Sequence, residues 1–257
     1  MAFSRSSPLC PGIAFITGGA RGLGNAIAVS FAKEGCSGIA LVDLHPTDSE
    51  TFATGAATIK AISPTTEVLC ISANVTSEPD MQRAVAECVS KFGRIDYAAN
   101  FAGIAGPMAA TWEMDVEAWK GVLSVNAVGV FISNKYELAQ MITQEPLPFE
   151  PNRAAQRGSI VNCASVNSIQ AGAGTSGYTA SKHAVAGMTK ATALEGRSVG
   201  VRVNAVSPGF IRTQLLQPAI VAGQLPETIW ESCEGRQGRM VLAEEVGDAV
   251  VMLSSAR

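Results

Sequence analysis

Tyr178 and Lys182 stand four residues apart in a stretch, Gly177–Glu195, whose spacing predicts a helix. Side chains at i and i+4 project from one helix face. A free phenol, with a pKa of about 10, holds its proton at neutral pH. A cation beside it favours the phenolate and makes proton exchange with a bound molecule feasible. A surface Tyr next to a solvated Lys would show the same spacing, so the pair needs company. Ser165 follows an apolar run, Gly158–Cys163, and its hydroxyl could hold an oxygen within reach of Tyr178. Asn126 interrupts the apolar helical run Val122, Leu123, Val125, Ala127, Val128. A buried amide there needs partners. A structural hydrogen bond and a water held on a proton path are equally compatible with its position.

A second constellation lies near the start of the chain. Thr17-Gly18-Gly19-Ala20-Arg21-Gly22-Leu23-Gly24 separates a short apolar run from an Ala-rich helical one. A pyrophosphate approaches backbone N–H groups where a helix begins, because the first N–H groups lack intrahelical partners and the dipole favours anions. A Cβ would block that approach, so Gly recurs. Asp43 ends the next strand, 19 residues beyond Gly24. A carboxylate there accepts hydrogen bonds from adenosine ribose hydroxyls and repels a 2′-phosphate. That favours NAD, with NADP the alternative because Arg21 could attract the phosphate.

These residues need a frame. Short β-branched runs alternate with helical ones: strands over Gly12–Thr17, Gly38–Asp43, Glu67–Ser72, Asp96–Asn100, Gly158–Cys163 and Val199–Val206. Helices are expected from the glycine loop to about Glu34, over Glu78–Phe92, from about Asp115 to Thr143, and over Gly177–Glu195. Such alternation predicts an α/β fold, a doubly wound (Rossmann-type), mostly parallel sheet with helices on both faces in one domain. The strands are apolar throughout, as a sheet covered on both faces requires. Residues 1–11 read as a loose lead-in and 12–257 as one dinucleotide-binding domain. A Pro-rich surface loop is expected over Gln144–Arg157. Thr213–Gly238 is long, mixed and apolar at many positions, a lid-like segment.

With 257 residues, 47% of them hydrophobic and only 16% charged, the chain has ample core for one domain. The net charge is −3 and no basic block occurs, so no nucleic acid partner is expected. No apolar run reaches the length of a membrane span, so no membrane partner is expected either. Six scattered Cys form no C-x-x-C pair and read as reduced thiols of a cytoplasmic protein. The two His have no ligand company, so no metal site is expected.

Together these features resemble the short-chain dehydrogenase/reductase family from Gly12 to about Ser254. The residues that carry the resemblance are Thr17-Gly18-x-x-x-Gly22-x-Gly24, Asn100-x-Ala102-Gly103, Asn126, Ser165, Tyr178-x-x-x-Lys182, and Pro208-Gly209 with Thr213. The resemblance implies that Tyr178 is the proton donor or acceptor. Lys182 would bind the nicotinamide ribose and favour the Tyr178 phenolate. Ser165 would orient the substrate oxygen, and Asn126 would hold a water linking Lys182 to solvent. Asn100, Ala102 and Gly103 would floor the cofactor cleft. Pro208, Gly209, Ile211 and Thr213 would touch the nicotinamide amide and the phosphates. Asn74-Val75 stands where the family has Asp-Val beside adenine, and Asn74 is expected to accept from the adenine amino group.

The implied activity is an oxidoreductase that moves a hydride between a nicotinamide and a carbonyl or alcohol carbon. The rivals are a non-redox isomerase or dehydratase on the same fold and a catalytically silent dinucleotide-binding protein. Apolar residues of the lid, with Met108, Trp112 and Met188 expected near the cleft, favour a hydrophobic ketone or secondary alcohol as the small-molecule partner. The chain is similar to reductases of specialised metabolism, and a homo-oligomer, dimer or tetramer, is implied. The family usually continues past its last helix into a seventh strand, whereas the given sequence stops at Arg257: either the chain is clipped here or the protein is unusual, and a true absence of the strand would remove one sheet edge and part of the usual subunit contact.

Overall fold

The computed structural model describes residues 8–147, 155–212 and 228–255, and between the last two segments residues 215, 217–221, 223, 225 and 226. Six strands, β1 Ile13–Thr17, β2 Gly38–Asp43, β3 Glu67–Ser72, β4 Tyr97–Asn100, β5 Gly158–Cys163 and β6 Val201–Val206, form one sheet in the order β3-β2-β1-β4-β5-β6. Every pairing is parallel. The chain winds from β1 outward to β3, then crosses back to β4 on the other side of β1. Thr17 and Asn100 end these two neighbouring strands in register. That switch point is where an open α/β sheet leaves a crevice at its carboxyl edge.

The helices are α1 Gly22–Lys33, α2 Glu50–Ile62, α3 Glu78–Phe92, α4 Val116–Leu123, α5 Gly129–Met141, α6 Ser176–Arg197, α7 Gln217–Val221, α8 Ile229–Gln237 and α9 Ala243–Ser254. Alternate residues of β1 feed two cores. Ala14 and Ile16 pack with Ile27 and Phe31 of α1 and Val250 of α9. Ile13 and Phe15 pack with Met81 and Val85 of α3 and Ile132 of α5. Gly247 lets α9 lie against α1, since a Cβ there would come within 2.3 Å of Ser30 Oγ. Arg202 donates to the main-chain oxygens of Leu253, Ser254 and Ser255, at 2.6 to 2.9 Å, and so caps α9 over β6.

Several expectations shift. Of the loose lead-in expected over 1–11, residues 1–7 lie outside the described residues, and its end is anchored: Cys10 is fully buried and its N–H donates to Glu34 O. The sixth strand starts at Val201, two residues late, because Gly200 turns the chain with φ +76°. The helix expected from about Asp115 to Thr143 is interrupted by a π-turn at Ser124–Val128 that holds Asn126. The helix α2, which sequence reading passed over, starts at a Ser49 cap. The lid-like segment carries α7 and α8, and Cys233 on α8 is buried. Of the Pro-rich loop, residues 148–154 lie outside the described residues. Burial pushes the Cys10 and Cys88 thiols up to about 12, so both are inert hydrophobes at neutral pH.

Candidate active site

The loop between β1 and α1 turns on two glycines with positive φ, Gly18 at +68° and Gly22 at +56°. At Gly24 a Cβ would sit 2.1 Å from Gly18 O, and at Gly18 it would sit 2.8 Å from Ala102 N. The turn, the helix start and the end of β4 are thus packed backbone to backbone. Arg21 precedes α1 without capping its first turn by a side-chain hydrogen bond, which leaves the first N–H groups to an anion. Leu23 packs beneath them on the core. Gly24→Ala is expected to destabilise the protein by roughly 1–3 kcal/mol, the range for an overpacked methyl, read as a drop in the urea midpoint. An unchanged midpoint would show that the loop relaxes freely.

Asp43 braces this loop from β2. One carboxylate oxygen accepts from Ala20 N at 3.2 Å and the other from Leu44 N at 2.8 Å. Thr17 Oγ1 accepts from Phe101 N at 3.2 Å and from Ala102 N at 3.4 Å, and donates to Asn100 Oδ1 at 3.4 Å. The floor expected over Asn100, Ala102 and Gly103 is therefore fixed to the end of β1.

At the other half of the crevice, Lys182 is buried, with 4% of its surface exposed. Its ammonium donates to Cys163 O at 2.7 Å and lies 5.5 Å from the centroid of the Tyr178 ring. A Cβ on Gly103 would come within 4.0 Å of the same nitrogen. The cation thus stands between α6, the end of β5 and the loop after β4. Tyr178 is half-buried on the first turn of α6. Ser165 lies two residues beyond β5 and its Oγ accepts from Asn167 N at 3.1 Å. Val166 N donates to Pro208 O at 2.9 Å and joins the exits of β5 and β6. The structure brings Ser165, Tyr178 and Lys182 to one end of the sheet.

Asn126 reaches them indirectly. Its Oδ1 accepts from Ile104 N at 2.9 Å, and its Nδ2 donates to Ile104 O at 2.8 Å and to Ser181 Oγ at 3.2 Å. Ser181 in turn donates to Tyr178 O at 2.7 Å. Both amide protons are used, so the side chain itself can hold a water only through the second lone pair of Oδ1.

Two expectations are corrected. Asn74 was expected to accept from an adenine amino group, but its Oδ1 already accepts from Thr76 N at 3.0 Å and Thr76 Oγ1 at 2.9 Å. A backbone donor fixes the amide orientation, so the side chain offers its Nδ2 as a donor instead. The next residue, Val75, is packed against Gly129 of α5. Met188 does not approach the cleft; it packs against Val130, Ala164 and Val185 in the core. Thr213 lies outside the described residues.

Sequence reading missed Ser181 and also Gln237. The latter accepts from Phe210 N at 2.7 Å and donates to Phe210 O at 3.1 Å, clamping the loop after Gly209 to α8. Ile211 bridges to Val241 just beyond it. The signal for Ser181 was present in its i+3 spacing from Tyr178, whereas Gln237 is distant in sequence and had none. Among the described residues, no group of three His, Cys, Asp or Glu is placed to hold a metal, and no helix is long and apolar enough to cross a membrane.

This arrangement, a glycine phosphate loop at the switch point and a buried Lys beneath a Tyr across the crevice, defines a dinucleotide-dependent enzyme of the doubly wound class. The short chain dehydrogenase family model matches residues 12–221, and the chain belongs to that family. The chain is 38% identical over 254 residues to the short-chain dehydrogenase fogB of Aspergillus ruber, spanning 96% of this chain and 91% of that one. Two solved structures are similar. Levodione reductase shares 32% identity with a TM-score of 0.84 over 95% of this chain and 91% of its own. NAD+-bound xylitol dehydrogenase shares 26% identity with a TM-score of 0.83 over 95% and 92%.

Proposed function

We propose that the chain moves a hydride between NAD(H) and the carbonyl or secondary alcohol carbon of a hydrophobic small molecule, with Tyr178 as the general acid/base. The observation that carries this reading is the Lys182 ammonium, buried between the Tyr178 ring and the end of β5 beside Ser165. A buried cation requires compensation, and ribose hydroxyls in the crevice would accept its remaining N–H donors. The phosphate loop fits a dinucleotide because its close-packed glycine turn leads into α1 with no side-chain cap on the first N–H groups. Thr17, Gly18, Arg21, Gly22, Leu23 and Gly24 would hold the pyrophosphate, and Asn100, Ala102, Gly103, Pro208, Gly209 and Ile211 would enclose the nicotinamide half.

Bound NADH supplies the hydride and bound NAD+ takes it back. In reduction the Ser165 hydroxyl holds the carbonyl oxygen, and Tyr178 gives that oxygen its phenolic proton as the carbon gains the hydride. The Lys182 ammonium stabilises the phenolate left behind. Asn126, through Ser181, fixes the helix turn that aims Tyr178. Oxidation reverses each step.

Exposed apolar side chains lie on the segments that follow β4 and β5. Trp112 and Ile169 are 86% and 81% exposed, and Ala109 N donates to Gly174 O at 3.2 Å to tie their two segments together. Exposed apolar groups beside a polar centre suit a hydrophobic ketone or alcohol. One relative is named a reductase and another a dehydrogenase, the two directions of such a reaction. A cytoplasmic enzyme of specialised metabolism, acting as a homo-oligomer, completes the reading.

The test is a panel of hydrophobic ketones with NADH and NADPH, and of secondary alcohols with NAD+ and NADP+, followed in the reduced-nicotinamide absorbance band. Asp43 places a carboxylate beside Ala20, where a 2′-phosphate would meet like charge. Several kcal/mol of repulsion is typical of such a contact. The expected result is oxidation of NADH with kcat/KM about 100-fold above that with NADPH. A preference for NADPH would reject the role of Asp43. Turnover without absorbance change would replace the reading with an isomerase or dehydratase.

A further inference from the structure

Asn100 does more than end β4. Its Nδ2 faces three acceptors: Glu137 Oε2 at 2.9 Å, Asn162 Oδ1 at 3.0 Å and Asn134 Oδ1 at 3.1 Å. The cluster continues from Asn162 Nδ2 to Thr189 Oγ1 at 3.0 Å and from Asn134 Nδ2 to Met188 Sδ at 3.7 Å. Glu137 and Asn162 are fully buried, and Asn100 and Asn134 nearly so. A carboxyl in the middle of α5 thus grips, through one amide, the strand end that is also bonded to Thr17 at the crevice.

We propose that Glu137 is a positioning residue for the dinucleotide, holding Asn100 so that Phe101–Gly103 keep the register that floors the cleft. The inference rests on the nicotinamide reading of the site above. An amide nitrogen carries two protons and cannot serve three acceptors fully, so the cluster is short of donors and favours a carboxyl that keeps its own proton. Glu137 Oε1 has no hydrogen-bond partner among the described residues, which makes a charge there costlier still. Among the described residues no cation offsets it. From β4, β5 and α6 it faces the cluster of Asn100, Asn162, Thr189 and Met188, and on its own helix Asn134, all uncharged. Burial pushes the carboxyl up to about 8, against a smaller pull downward from Asn100. Ionisation above that pH would make the carboxylate compete for both Asn100 protons and draw the end of β4 away from Thr17.

The experiment titrates NADH by nicotinamide fluorescence at pH 6.5 and 9.5, using the wild type, Glu137→Gln and Glu137→Met, with melting curves at each pH. Gln reproduces the neutral acid in shape, and Met keeps the length without the grip. We expect the wild type to lose about tenfold in NADH affinity between the two pH values. Glu137→Gln should match the wild type at pH 6.5 and lose at most twofold by pH 9.5. Glu137→Met, still folded, should bind about tenfold more weakly at both. Parallel pH profiles for wild type and Glu137→Gln, or wild-type affinity in Glu137→Met, would overturn the inference while leaving the enzymatic reading intact. A wild type that binds no NADH at either pH would instead bring down the nicotinamide reading, and this inference with it.

Discussion

Tyr178→Phe is expected to lower kcat by about a thousandfold, which corresponds to about 4 kcal/mol of lost transition-state stabilisation. The NADH dissociation constant should stay within about twofold. The substitution is clean because of how the residue is held. The Lys182 ammonium lies 5.5 Å from the centroid of its ring, and the bond from Ser181 goes to the main-chain oxygen of residue 178. A Phe ring keeps both contacts, so the melting temperature should hardly move. Only the proton that the carbonyl oxygen must receive is removed. Turnover within tenfold of wild type would show that another group supplies that proton. Intact turnover with lost NADH binding would place Tyr178 in the cofactor site alone.

How much of this was legible follows from what each signal depends on. The sheet and the Tyr178–Lys182 pair depend on periodicity, a local property of the chain. Apolar runs give buried parallel strands, and an i, i+4 pair shares a helix face whatever surrounds it. The glycine loop is legible for a similar reason, because only Gly tolerates the Gly18 and Gly24 environments. The rest required tertiary information. That Asn126 sits on a π-turn, with its amide consumed by Ile104 and Ser181, depends on a loop 22 residues upstream and a helix 55 residues downstream. Met188 reads as a cleft residue from its nearness to Tyr178 in sequence, but its position on α6 turns it into the core.

Glu137 is the clearest case of a hidden residue. A charge inside a helical pattern reads as the solvated face, and beside it the exposed Lys135 and the half-buried Tyr136 both reach Glu78. The buried side of α5 is Gly129, Val130, Ile132, Ser133, Asn134, Glu137 and Met141, helical in spacing but polar at its centre. Hydrophobic periodicity fails on such a stripe because hydrogen bonds, not apolar burial, satisfy its middle.

That burial has a second consequence, in stability. The Glu137 carboxyl is pushed up to about 8 in the fold from an ordinary 4.5. Below pH 4.5 it is protonated in the folded and unfolded chain alike. As the pH rises from there, the unfolded chain releases this proton and the folded chain retains it, so unfolding becomes easier with each step until about pH 8, where the folded form ionises too. The loss over that window is on the order of 4 kcal/mol. Glu137→Gln has no proton to release and escapes it, while every other titrating group is common to both proteins. Urea unfolding at intervals from pH 4.5 to 9 should therefore show the variant gaining on the wild type by about 4 kcal/mol up to pH 8 and staying level beyond. A gap that is constant across this range would mean that the carboxyl is ionised within the fold. The donor shortage around Asn100 would then have to be met by a different arrangement of the amides.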